Sequence, residues 1–538
     1  MLPAAAGASV SPDTALHAYA LGRLADSDGA SDLAIASYRL ALASDPESLA
    51  IARQSYTQAL EGGDIVLALR SAALLDEAGI LPRDGTLLRI GDALMRRDWA
   101  GARQFTERLA EEGNFAFLAP IIASWITTGE RQPTAPVLEG KDRFASLARR
   151  YVDEHQALQA IGLGDVKTAA AAMQRALAVR SGDLSGMRLT FAGALMAQGD
   201  KADALALLPE RDVNFTRARA DIARGRGDKA LKAALTPRQG FGRLLARLAN
   251  DLSSEANAST LGIRLVRIAL YADPDGAETQ LVAAKLLIRA GDGEAAALIA
   301  RRVMASPWHA ALAQSALVDA LAEAGQTEEA VTLARRLAGE ADAGPDRHMR
   351  LGQLLAEQED FAGAAAAFRT AQQRYPADRV PWMLLLFEGS ALEQAEKWDE
   401  ARAVLERAAK LAPEEATVLN YLGYAQIERR QNLDAALAML TKASALKPED
   451  ASITDSLGWA RFLTGDVAGA VPILERASVG APADPTVNEH LGDALWAAGR
   501  QFEARYAWRA ASAFAEGDTA TRLDAKNREG MKPEYAAP

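Results

Sequence analysis

Five histidines are the first residues to test for chemistry, because imidazole serves both as general base and as metal ligand. His17, His155, His309, His348 and His490 are far apart in the chain, and none forms an HExxH or similar ligand pair. Ser185 stands in GDLSG, which departs from the G-x-S-x-G nucleophile elbow and has no strand before it. The GLG of residues 162–164 opens no βαβ unit, so a dinucleotide reading fails on context. Arg226-Gly227-Asp228 spells an adhesion tripeptide but falls at an expected turn between helices, and Glu359 and Asp360 fall at another. The chain has no cysteine, which excludes disulfides, thiol nucleophiles, zinc-thiolate sites and iron–sulfur clusters. No catalytic, cofactor-binding or metal-ligating residue is therefore assigned, and an enzyme is not expected.

The elements that would have to position such residues come next. Of 538 residues, 49% are hydrophobic and only 6% aromatic, and alanine is abundant, which favours closely packed helices over sheets. The net charge is −11, and the basic residues, mostly arginine, are scattered, so nucleic acid is not an expected partner. No apolar run reaches the ~18 residues of a membrane-spanning helix. The opening MLPAAAGASVSPD lacks the basic region and apolar length of a signal peptide.

A repeat organises the chain. Gly389, Gly423, Gly458 and Gly492 are 34, 35 and 34 residues apart. Each is followed by an alanine twelve or thirteen positions on (Ala401, Ala436, Ala470, Ala504) and another seven beyond that (Ala408, Ala443, Ala477, Ala511). Pro413, Pro448 and Pro482 close the first three units. This spacing resembles the tetratricopeptide (TPR) repeat, two antiparallel helices per unit. Gly352, Ala364, Ala371 and Pro376 extend it backwards, Ala296 and Ala330 mark weaker units, and Gly22, Ala34, Ala41 and Pro46 restart it near the amino terminus. The expected fold is an all-α, TPR-type right-handed α-solenoid of roughly 13–15 helical hairpins in which only neighbouring repeats touch. Residues 1–12 are expected as a disordered linker, 13–113 as amino-terminal TPR units and 114–258 as degenerate helical repeats with a long loop near 127–142. Residues 259–515 are expected as the carboxy-terminal TPR array and 516–538 as a capping helix with a disordered tail. Trp99 and Trp398, at the bulky position before second helices, are expected in the core.

In TPR proteins the first helix of each pair lines a concave surface, with the residue after the glycine and the one three further on facing inward. Carried onto this chain, that template gives Tyr424, Trp459 and Asp493, then Ile427, Phe462 and Trp496, with Asn420, Asp455 and Glu489 one turn earlier. Aromatic anchors with polar neighbours suit a protein-binding groove, although aromatics at helical spacing serve packing as readily. The basic set that chaperone-binding TPR domains use for acidic tails is missing here. An acidic groove favours apolar or basic segments instead.

The phrases NYLGYAQI, NLDAALAML, DSLGWARF and HLGDALW also resemble the carboxy-terminal ends of large bacterial envelope TPR proteins, many of them lipoproteins. That resemblance implies a periplasmic adaptor, anchored at the outer membrane by a lipidated leader absent from this chain. Its concave face would bind a carboxy-terminal processing protease and its substrates, or a peptidoglycan hydrolase. LPAAAGASVSPD resembles the linker after such an anchor, and Met1 would then be an added start. The alternatives are a scaffold for export, polysaccharide or pilus assembly, and a cytoplasmic interaction scaffold.

Overall fold

The computed structural model describes residues 12–136, 143–178, 184–210, 212–228, 231, 234–253, 259–376 and 378–537. Among these residues there are 29 α-helices and no strand, and the helices alternate as antiparallel hairpins: an all-α TPR-type solenoid. No helix is long and apolar enough to cross a membrane. The chain divides into two compact units, residues 1–336 and 337–538.

The second unit holds five hairpins, Pro345–Glu357 with Phe361–Gln372, Trp382–Gln394 with Trp398–Leu411, Ala416–Glu428 with Leu433–Leu446, Ala451–Leu463 with Val467–Gly480, and Pro485–Ala497 with Gln501–Ser512. A tail helix, Gly517–Glu529, follows. The repeated glycine sets each hairpin's closeness. A Cβ on Gly458 would lie 2.6 Å from Leu474 Cγ, one on Gly389 2.5 Å from Leu405 Cδ2, and one on Gly352 2.6 Å from the Phe368 ring. Each obstacle belongs to the second helix of the same hairpin, so the missing side chain is what lets the pair nest. Seven residues after that glycine the hairpin turns through a left-handed backbone, by Gly465 (φ 91°) and Gly499 (φ 82°), and also by Glu359, Glu396 and Arg430. Asp360 and Asp466 cap the second helices by accepting from the amides of Gly363 and Gly469, both at 2.9 Å. The acidic residue Asp360 is thus part of a cap.

Gly492 is the tightest of these positions. Its Cβ would fall 2.3 Å from Trp508 Cδ1 and Nε1, and that indole is fully buried and donates to Asp493 Oδ1 at 2.9 Å. The ring cannot retreat without losing that bond. Gly492→Ala is expected to destabilise the last hairpin by about 1–3 kcal/mol despite alanine's better helix propensity, read as a lower urea midpoint and faster amide exchange in Pro485–Ala497.

The first unit departs from a one-dimensional stack. Its hairpins run from Pro12–Ser27 with Ser31–Ser44 to the helix Ala310–Glu323, but Pro237–Leu252 and Thr260–Ala272 turn back onto helices from the amino-terminal part. Arg264 Nη1 donates to Asp84 Oδ2 at 3.0 Å, Tyr271 Oη to Asp92 Oδ1 at 3.1 Å, and Tyr151 Oη to Asp251 Oδ2 at 3.0 Å. The expectation that only neighbouring repeats touch is therefore corrected for this unit. Glycine again permits the approach: a Cβ on Gly240 would sit 2.1 Å from Trp125 Cε2, and one on Gly91 3.2 Å from the Phe241 ring. Of the loop expected near 127–142, residues up to Gly129 finish the helix Ala119–Gly129, and 137–142 lie outside the described residues. Most of the expected linker, residues 1–11, lies outside them too, and Pro12 already begins a helix. Trp99 and Trp398 are half-buried and not enclosed in a core; Trp398 Nε1 donates to Gln431 Oε1 at 2.7 Å under the Arg429 guanidinium.

Candidate protein-binding face

The nine inward positions lie on three successive first helices of the second unit, and the structure places them differently. Ile427, Asp455, Trp459, Glu489 and Asp493 are buried, whereas Asn420, Tyr424, Phe462 and Trp496 are half-buried. Trp459 has two stacking partners, His490 at 3.9 Å between ring centres and 9° from parallel, and Phe462 at 4.9 Å and 19°. His490 is fixed in turn by Asp455, Nδ1 to Oδ2 2.9 Å. A ligand could reach neither Ile427 nor the faces of Trp459 without displacing these neighbours. Tyr424 and Phe462 keep open edges. Beside Tyr424 stands Glu428, exposed on one side, whose carboxyl is pushed above its ordinary value by burial of its inner part.

The acidic end of the strip is already paired. Arg522 donates through Nε and Nη2 to the two oxygens of Glu489, both at 2.8 Å. Lys526, fully buried, places Nζ 2.7 Å from Glu489 Oε1 and 2.7 and 2.8 Å from the two oxygens of Asp493. Both cations come from the tail helix. Past it, Gly530 packs on Trp496 and Met531 on the core of the last hairpins, a 3-10 turn forms at Pro533–Tyr535, and the Ala537 amide lies 3.4 Å from Asp493 Oδ2. The sequence reading missed these partners, though Arg522 and Lys526, one helical turn apart, were there to be set against two inward carboxylates.

Four histidines are buried, namely His155, His309, His348 and His490, and His17 is exposed. His309 belongs to a set that the sequence hides: Ser306 Oγ lies 3.0 Å from His309 Nδ1 and 3.3 Å from Asp228 Oδ2. Serine, not histidine, sits in the middle, so the carboxylate cannot orient the imidazole as a base toward the hydroxyl. Asp228 also faces the Trp308 amide, 3.4 Å away, and of the Arg-Gly-Asp tripeptide Asp228 is buried while Arg226 is exposed. The set braces the start of Ala310–Glu323. Among the described residues no group of three or more His, Asp or Glu is placed to hold a metal ion.

A buried ionic junction lies in the first unit. Arg243 Nε donates to Glu154 Oε1 at 2.7 Å, Nη1 to Thr190 Oγ1 at 3.0 Å, and Nη2 lies 2.5 Å from Glu278 Oε2. One guanidinium between the buried Glu154 and the half-buried Glu278 balances one charge. Burial opposes ionisation of Glu154, but Arg243 outweighs it and keeps that carboxyl below its ordinary value. Burial, with Glu154 nearby, pushes Glu278 up to about 7. Burial also lowers His155 and His309 to about 4. The signs are opposite. A carboxyl raised in the fold adds stability below its unfolded pKa, and that stability is lost as pH rises toward 7. Histidines lowered in the fold lose stability as pH falls from 6.5 toward 4. Relative to Glu278→Gln, the wild-type unit should therefore gain up to about 1.4 kcal/mol per pH unit as pH falls from 7 to 4.5, measured by urea unfolding across that range.

The family comparison agrees with the geometry. The family model described as tetratricopeptide repeat matches residues 315–379, 388–451 and 428–486. These segments are tetratricopeptide repeats, a class that acts as protein-interaction scaffolding and is typically non-catalytic. None of the curated proteins matches. Among solved structures, one titled MamA MSR-1 C2 is 21% identical, covering 32% of this chain and 95% of its own, with a TM-score of 0.27. A MamA RS-1 double mutant is 22% identical over 31% of this chain and 92% of its own, with a TM-score of 0.29.

Proposed function

We propose that the inward face of the second unit, centred on Tyr424 and Phe462, binds a protein segment rich in apolar and basic side chains. The observation that carries this is the open aromatic strip on an acidic unit. Residues 337–538 contain 31 acidic and 22 basic side chains, so they hold nine of the chain's eleven excess negative charges. Aromatic edges supply apolar contact at low entropic cost, and the surplus charge steers a basic partner while repelling an acidic one.

The finer reading is a non-enzymatic adaptor of the bacterial cell envelope, periplasmic and lipid-anchored, whose partner is a carboxy-terminal processing protease with its substrates or a peptidoglycan hydrolase. The likeness of the NYLGYAQI, DSLGWARF and HLGDALW phrases to envelope TPR proteins supports it. The test is affinity capture from native extract with the tagged wild-type chain and with Tyr424→Ala/Phe462→Ala. A stoichiometric protease or hydrolase is expected with the wild type and at least ~10-fold less with the variant, which corresponds to about 1.4 kcal/mol of lost binding, at unchanged helical circular dichroism. Equal capture by both chains would overturn the site, and capture of export or cytoplasmic components alone would overturn the adaptor.

A further inference from the structure

The tail helix is unlike the others in what holds it. Its sequence, GDTATRLDAKNRE, has one apolar side chain larger than alanine, Leu523, and its buried residues are only Leu523 and Lys526. The helices of the last hairpin bury nine and four residues. Polar contact of this helix with the hairpin comes from the Arg522–Glu489 fork, from Lys526 seated between Glu489 and Asp493, and from Asn527 Nδ2 donating to Ser512 Oγ at 3.2 Å, and Gly530 and Met531 continue the packing just past it. Gly517, with φ at 57°, sits where the tail helix begins.

The hairpin, for its part, requires a cation there. Glu489 and Asp493 are 2% and 1% exposed, and buried carboxylates without a partner are strongly disfavoured. They lie on the same inward face as Phe462, one repeat further on, so the strip proposed to bind protein runs directly under the tail. Arg522 is partly exposed and open to salt while Lys526 is sealed from it, so salt weakens the contact in part, and a chemically equivalent segment can replace it.

We infer that the inward face of the last hairpin is a receptor for a helix carrying arginine and lysine four residues apart, and that the chain's own tail helix occupies it until a partner helix of that chemistry takes its place. This rests on the protein-binding reading of the same face. The tail then acts as a tethered competitor. A partner must present an Arg-x-x-x-Lys turn with an adjoining leucine, as Arg522, Leu523 and Lys526 do.

The test uses the full chain and a fluorescent peptide of residues 516–537. Against wild type the resident tail competes and binding is weak. Arg522→Gln/Lys526→Gln in the chain frees the face, and the peptide is expected to bind at least ~10-fold more tightly, a gain that shrinks on going from 0.05 to 0.5 M salt. The same peptide carrying Lys526→Gln should bind ~10-fold less well. If the double variant loses helical signal, Leu523→Ser releases the tail with its charges intact and serves in its place. In the wild type, amides of residues 520–529 are expected to exchange well before those of 487–495. Exchange of the two segments together, or no gain of peptide binding in either variant, makes the tail a fixed cap and overturns the inference. The capture experiment on Tyr424 and Phe462 reads the parent proposal separately, because Phe462 has no polar atom that could join the pairing of Glu489 and Asp493 with Arg522 and Lys526, and Tyr424 lies two hairpins before that pairing.

Discussion

Arg243→Ala is expected to cost the first unit about 3–5 kcal/mol at neutral pH, among the largest effects of any single substitution in this chain. The loss does not come from a missing attraction alone. It comes from leaving Glu154, 1% exposed, and Glu278 beside it without the guanidinium that pairs with both, and with only the weaker influence of Arg247. The deficit should shrink as pH falls toward 5, since both carboxyls can then accept protons, whereas a cavity effect would not change with pH. Arg243→Lys keeps the charge but cannot span both acids and Thr190, and should recover only part of the loss. Neutralising all three, with Arg243→Met, Glu154→Gln and Glu278→Gln, should bring stability back to within about 1–2 kcal/mol of wild type, because buried ion pairs are costly to break and close to neutral to replace. Urea unfolding, with amide exchange in Pro237–Leu252, measures each case. A full-sized, pH-independent loss would show that packing and not charge dominates the junction.

That junction also marks where sequence reading ran out. In the second unit the period could be followed because each glycine answers to one side chain sixteen or seventeen positions later, as Gly458 does to Leu474 and Gly423 to Leu440. Hairpin, turn and closing proline are all local, so they leave a local trace. The packing of Thr260–Ala272 on Arg83–Arg96 is not local: Arg264 and Asp84 are 180 residues apart. Nothing within either segment announces the other, and Arg243 reads as one of many arginines until the fold brings Glu154 and Glu278 to it. The inward face was legible in position and ambiguous in use. Its helices and residues follow from the repeat, but a carboxylate aimed inward looks the same whether it awaits a ligand or the chain's own Lys526.

Trp459 brings that ambiguity to a measurable point, and Trp459→Ala is the second large effect expected, about 3–5 kcal/mol. The side chain is 2% exposed, so its removal opens a cavity under Phe462 and His490 that the stacked rings can fill only in part. Its indole Nε1 has no hydrogen-bond partner, so Trp459→Phe loses no bond and should cost much less, about 1–2 kcal/mol of reduced contact. The near-ultraviolet dichroism of the stacked indole should vanish in both variants, while only the alanine variant should melt markedly lower. Phe462→Ala differs again, because a half-buried ring loses less contact and leaves Trp459 still stacked on His490. Tyr424 and Phe462 can therefore be tested for binding at small cost to folding, and Trp459 cannot. A tryptophan directly after the repeat glycine fits, from sequence alone, both an anchor for a partner and a packing residue. The histidine 31 residues later supplies its second stacking partner, and the aspartate that fixes this histidine sits one turn before the tryptophan itself. If Trp459→Ala instead weakened peptide binding while leaving the urea midpoint unchanged, the ring would have to turn outward in solution, and the inward strip would extend unbroken from Tyr424 through Trp459 to Phe462.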